Sequence, residues 1–144
     1  MIQIICVGKL KENYLKEATF DYIKRIGKYH KINIIEINEE KTIDIEGEKI
    51  LQKVKDDYVI ALDLNGDKLS SVEFSNLLDK TFITNSKISF IIGSSLGLST
   101  KVKQRSNKTI SFSDLTFPHG LFRVILLEQI YRAFKIINNE KYHK

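Results

Sequence analysis

Apolar positions recur along the chain in two rhythms, and the alternation between them outlines the fold. Ile2–Val7 is a short apolar run with β-branched residues ending at Gly8, which predicts a strand. Residues 12–26 place Leu15, Ala18, Tyr22, Ile23 and Ile26 at helical spacing, with Gly27 as the stop. Residues 31–37 predict a second strand, and the polar stretch 38–45 an exposed loop. Residues 46–55 predict a short helix with Ile50, Leu51 and Val54 on one side. Residues 58–62 predict a third strand, ended by the turn-like Asn65-Gly66-Asp67. Ser70 and Glu73 have the spacing of a capping box for a helix to about Phe82. A fourth strand at 87–92 follows, then a short helix from a Ser99 cap through Arg105, a fifth strand at 109–112 and a long helix at 121–137.

Strands alternating with helices predict an α/β fold with a mostly parallel sheet, in one domain spanning residues 1–144. The last helix is apolar around nearly its whole circumference, so it must be buried on more than one side. One face can lie on its own sheet and the other on a second subunit, which predicts a homodimer. A monomer with a deeply buried central helix is the alternative. The one proline, Pro118, stands where the last loop meets this helix.

Composition narrows the class. The single cysteine, Cys6, lies in an apolar run and reads as a small buried hydrophobe, and a chain with one cysteine suits a reducing compartment. No apolar stretch reaches the length of a membrane span, and the start lacks the pattern of a cleaved leader. These features predict a cytoplasmic protein without a membrane partner. A net charge of +5 and a pI near 9.2 are compatible with a polyanionic partner. Three scattered histidines have no metal-site spacing, so no metal is expected.

Four segments carry candidate chemistry. Residues 90–99 run from a buried strand into Gly93, Ser94, Ser95 and Gly97, small residues that let backbone approach a ligand. Ligands of open α/β sheets bind beyond the carboxyl ends of the strands. The spacing matches neither the dinucleotide fingerprint nor a P-loop. Residues 110–119 set Ser111, Ser113, Asp114 and Thr116 among apolar neighbours, as a small-molecule pocket needs. In the third, Glu128 and Arg132 can pair one helical turn apart. There Arg123, set among apolar residues, needs an exposed edge or an anionic partner, structural or RNA phosphate. The fourth is the tail, where Tyr142 beside cationic side chains can stack on a base.

Taken together, Val7-Gly-Lys9, Ala61-Leu-Asp63, residues 90–99, 115–118, 119–135 and Tyr142-His143-Lys144 resemble the ribosomal RNA large-subunit methyltransferase H family of the SPOUT superfamily. The resemblance covers essentially the whole chain. It implies a trefoil-knotted α/β fold and an obligate dimer. It also implies an S-adenosylmethionine site at Leu62, Gly93, Ser94, Ser113, Asp114, Leu115, Thr116, Phe117 and Pro118. The reaction it implies is methylation of N3 of a pseudouridine, 1915 in reference numbering, in 23S rRNA of the assembled ribosome. Three positions depart from the family pattern: Ser94 and Gly120, where glycine and glutamine are usual, and Lys141, where proline is usual. A positive φ at position 94 would strain the serine.

The target N3 carries an imide proton, so catalysis requires alignment and help with one proton. His143 is the candidate base, Tyr142 the candidate stacking group, and Lys144 and Arg123 the candidate phosphate contacts; His119 reads as structural. Two other readings share these features. One is a non-catalytic RNA- or ribosome-binding protein that keeps the fold; the other is an α/β enzyme for a different small molecule.

Overall fold

The computed structural model describes residues 1–144. In chain order its elements are β1 (Ile2–Val7), α1 (Asn13–Ile26), β2 (Ile32–Ile37), α2 (Ile43–Val54) and β3 (Tyr58–Lys68). Then follow α3 (Ser71–Thr84), β4 (Ile88–Ile92), α4 (Thr100–Arg105), β5 (Lys108–Ser111) and α5 (His119–Ile137). The five strands form one parallel sheet in the order β2-β1-β4-β3-β5. The α/β class and parallel sheet are as the alternation predicts.

A parallel sheet is covered on both faces, so its central strands carry apolar residues on both sides. Every residue of β1 and β4 is buried. Successive side chains point to opposite faces. Ile2, Ile4, Cys6, Ile88, Phe90 and Ile92 face a core closed by α1, α3 and α5. Ile5, Val7 and Ile91 face a second core closed by α2 and α4. Burial pushes the Cys6 thiol up to about 12, with Arg123 opposing, so Cys6 is the inert hydrophobe its surroundings predict.

The Ser70 capping box forms as the spacing predicts: Ser70 Oγ accepts from Glu73 N–H at 3.1 Å, and Glu73 Oε1 accepts from Ser70 N–H at 2.9 Å. Ser99 Oγ caps α4 through Val102 N–H at 3.2 Å. Two helices start earlier than their apolar periods suggest. Residues 43–45, expected in a loop, form the first turn of α2, because Thr42 Oγ1 accepts from Ile45 N–H at 3.3 Å. The last helix starts at His119, directly after Pro118, whose carbonyl accepts from Phe122 N–H at 2.8 Å.

The largest departure concerns residues 65–67, which do not end β3 as a turn. β3 continues to Lys68, and Leu62 and Asp67 both register on Ile110 of β5, so the chain between them bulges outward. Gly66 makes this possible. A Cβ there would lie 2.6 Å from the carbonyl carbon of Ile110. The missing side chain signals a close approach of two strands, not a reversal. An ion pair between Lys108 Nζ and Asp67 Oδ2, at 3.0 Å, spans the same pairing.

Helix α5 lies between α1 and α3 on one face of the sheet. Leu126, Leu127, Ile130 and Ala133 are fully buried there. The chain itself therefore uses much of the apolar circumference. Leu121 is exposed, and Phe122, Val124 and Ile125 are half-buried, which leaves an apolar strip near the start of the helix uncovered.

Gly66→Ala is expected to destabilise the fold by about 2 kcal/mol or more, because backbone rather than a flexible side chain must yield. Urea unfolding at equilibrium measures this.

Candidate active site

The carboxyl ends of β3, β4 and β5 lie side by side, and a cavity of about 330 Å³ opens beyond them. That is near the lower end of small-molecule pockets. One wall is the segment after β4, with Gly93, Ser94, Ser95, Gly97 and Leu98. Opposite stands the segment after β5, with Phe112, Leu115, Thr116 and Phe117. Leu62, Asp63 and Leu64 of β3 form the floor, and His119 and Phe122 of α5 close one side.

The first wall depends on two glycines for different reasons. Gly97 has φ +85°, a conformation that L side chains rarely adopt. At Gly93 a Cβ would lie 2.6 Å from the Gly97 carbonyl oxygen, so the loop can close only without a side chain there. Ser94 stands between them with a negative φ, and the strain considered for serine at this position does not arise. Its side chain is used instead: Oγ accepts from Leu96 N–H at 3.2 Å and donates to Glu46 Oε1 at 2.7 Å.

The second wall is held by aromatic packing. Phe122 of α5 lies against Phe112 and Phe117, with ring centroids 5.4 and 6.2 Å away. Ser111 Oγ donates to the Ser113 carbonyl at 3.1 Å, and Ser113 Oγ accepts from Leu115 N–H at 3.0 Å. Asp114 turns away to pair with Lys68 at 2.5 Å.

Of the residues expected to hold a cofactor, Leu62, Gly93, Ser94, Leu115, Thr116 and Phe117 line the cavity. Ser113, Asp114 and Pro118 lie in the same loop but do not line it. Asp63, Leu98, Phe112, His119 and Phe122 line it without having been expected. Only Asp63 and His119 carried a legible polar signal. His119, which reads as structural from its place at a helix start, stands exposed at the cavity.

Arg123 is only 4% exposed. Its Nη1 donates to Glu36 Oε2 at 2.8 Å and its Nη2 to the Gly8 carbonyl at 3.2 Å. The guanidinium thus ties α5 to the ends of β1 and β2 and faces no solvent a phosphate could share, so the structural partner is the one found. Burial alone would raise the Glu36 carboxyl. Hydrogen bonds from Arg123 and Leu10 N–H, with the Arg123 charge, outweigh burial and hold it below its ordinary value.

The tail folds back on α5. Tyr142 meets Tyr131 edge-on at 4.9 Å, under the Arg132 guanidinium at 4.8 Å. Glu128 and Arg132 pair as their spacing predicts, at 2.9 Å. Burial, and the nearby Glu128 charge after it, push the Tyr142 phenol up to about 12. Its hydroxyl donates to Glu128 Oε1 at 3.3 Å. His143 Nδ1 lies 3.1 Å from Arg132 Nη1. A guanidinium only donates, so Nδ1 is the acceptor in this contact. His119 and Arg132 are separated by about 20 Å along the α5 axis, at ~1.5 Å per residue. The tail and the cavity of one chain are therefore apart.

Sheet, cavity and strand-end loops have the arrangement of open α/β proteins, the class in which ligands bind beyond the carboxyl ends of the strands. A family model described as "Predicted SPOUT methyltransferase" matches residues 1–143. The chain is 53% identical to a ribosomal RNA large subunit methyltransferase H of Clostridium tetani, over 99% of both chains. It is 52% identical to the protein of that name from Clostridium botulinum strain Langeland, again over 99% of both. Among solved structures it superposes on a probable methylase family protein from Haemophilus influenzae with TM-score 0.61. That match has 13% identity and covers 96% of this chain and 66% of the other. It superposes on the A. aeolicus TrmH/SpoU tRNA modifying enzyme with TM-score 0.52 at 13% identity, covering 95% and 77%. At that identity the two structures share the fold alone. The chain belongs to the SPOUT methyltransferase family, among its ribosomal RNA large subunit methyltransferase H members.

No helix is long and apolar enough to cross a membrane, and no three His, Cys, Asp or Glu side chains group as metal ligands.

Replacing Arg123 by Met is expected to cost about 3 kcal/mol, the low end for breaking a buried pair, since Glu36 still meets water. The carboxyl is depressed in the folded state. The stability it contributes is therefore present above its ordinary value of 4.5 and lost as pH falls through the lowered one. Denaturation from pH 6 to 3 should show a shallower acid decline for Arg123→Met than for the parent. Parallel curves would mean that the pair does not set the Glu36 titration.

Proposed function

We propose that this protein transfers the methyl group of S-adenosylmethionine to N3 of a pseudouridine in 23S rRNA of the assembled ribosome, in the cytoplasm, as a homodimer. The observation that carries this reading is the cavity at the strand ends of a chain so similar over its full length to rRNA methyltransferases. The residues present suit the cofactor. Gly97 leaves open space where a side chain would project, beside a loop that closes because Gly93 has none. Apolar Leu62, Leu98 and Phe117 offer faces to an adenine, and the backbone groups of residues 93–97 and 111–117 offer polar partners.

When bound, S-adenosylmethionine supplies a methyl group that is already electrophilic. The chain's residues must then align the target and manage one proton. Phe112, Phe117 and Phe122 exclude water from the cavity wall. Tyr142 presents an aromatic face and a phenol that stays protonated. His143 serves as base once the Arg132 hydrogen bond to Nδ1 opens, and Lys144 contacts phosphate. Because the tail of one chain lies far from its own cavity, it serves the cavity of the partner subunit. The uncovered apolar strip at Leu121, Val124 and Ile125 supports a subunit contact beside that cavity. Arg123 works in this scheme by anchoring α5 and not by touching RNA.

Purified protein, S-adenosylmethionine carrying a labelled methyl group and ribosomes lacking the modification provide the test. Label is expected in 23S rRNA, at N3 of one pseudouridine. His143→Ala is expected to slow single-turnover transfer by about 10²-fold, within the usual range for a proton-transfer group. Removal of Tyr142–Lys144 should abolish transfer. Full activity of His143→Ala at every pH would exclude its role as base. Ribosome binding without any labelling would instead favour a non-catalytic RNA-binding protein.

A further inference from the structure

Glu46 is a buried carboxylate, 2% exposed, in the first turn of α2. No Lys, Arg or His nitrogen lies within ion-pair distance of it, and Lys49 one turn on is paired with Glu40. A buried charge without a cation is costly unless hydrogen bonds and dipoles compensate it. Here Glu40 N–H donates to Oε2 at 3.0 Å and Ser94 Oγ donates to Oε1 at 2.7 Å. The positive end of α2 adds its dipole. The same turn grips the other end of the loop, because a Cβ on Gly47 would overlap Ser99 Oγ, so helix and loop touch there. The turn therefore clamps the cavity wall from behind at both Ser94 and Ser99, and its buried charge, that of Glu46, is negative.

We infer that Glu46 is a positioning residue that holds the cavity wall through Ser94 and whose fixed charge biases the cavity toward a cationic ligand. The inference rests on the S-adenosylmethionine reading and adds a selectivity to it. A negative charge fixed behind the wall favours the sulfonium of S-adenosylmethionine over the neutral thioether of S-adenosylhomocysteine. Product then leaves more readily than cofactor. The clamp also gives the serine a role: its hydroxyl pairs with a carboxylate that would otherwise lack a donor on that side.

Calorimetric dissociation constants for both ligands, on the full-length parent, Glu46→Gln and Ser94→Ala proteins, provide the test. Glu46→Gln removes the charge with little change of shape. It is expected to shift the affinity ratio about fivefold toward S-adenosylhomocysteine, as suits one partly screened charge. An unchanged ratio in a folded Glu46→Gln protein overturns the charge role. Ser94→Ala keeps the charge and removes the link; it should weaken both ligands by a common factor of about three, within the worth of one hydrogen bond. Parent-like affinities for Ser94→Ala overturn the positioning role, whether or not Glu46→Gln folds. A parent protein that binds neither ligand overturns the cofactor reading itself, and this inference with it.

Discussion

The pairing of β3 with β5 governs the geometry of the site. It sets the carboxyl end of β5 next to those of β3 and β4, so that three strand ends open onto one cavity. The pairing is sustained past Leu62 only because Gly66 lets the backbone of β3 approach Ile110. Without that contact, the segment after Ile110 would depend on the packing of Phe112 and Phe117 against Phe122 to keep its place opposite the Gly93–Gly97 loop.

A sheet buried on both faces has no room for polar chemistry except at its edges and ends. This chain follows that constraint closely. Its buried hydroxyls near the cavity are paired: Ser94 with Glu46, Ser99 with the start of α4, Ser111 with the Ser113 carbonyl. Arg123 does the equivalent work for α5, fixing its first turns to the loop after β1 and to the end of β2. Rigid elements thus hold both walls, and outside them the folded-back tail joins an aromatic-cationic cluster of Tyr142, Tyr131, Arg132, Arg25 and Lys135.

Much of this was legible in the sequence, for identifiable reasons. Strands and helices announced themselves because burial on both faces writes long apolar runs, and Ser70 and Ser99 mark helix starts by the chemistry of capping. The β3 continuation was not legible, since Asn-Gly-Asp is equally the signature of a turn, and only the proximity of Ile110 decides between them. Arg123 allowed two readings, because its partner Glu36 lies 87 residues away. Phe112, Phe122 and His119 were missed as site residues because their roles follow from where β5 and α5 lie in space. Glu46 gave no signal at all: in sequence it is one acid among several. The family resemblance supplied what local patterns could not, namely which strand-end segments belong together.

The most direct test of the central claim is a crystal structure of the protein grown with S-adenosylmethionine. The account predicts the ligand in the cavity, between residues 93–98 and 111–117, with Tyr142 and His143 of the partner subunit at its mouth. Ligand bound elsewhere, or ligand in the cavity with both tails still far from either site, would contradict it.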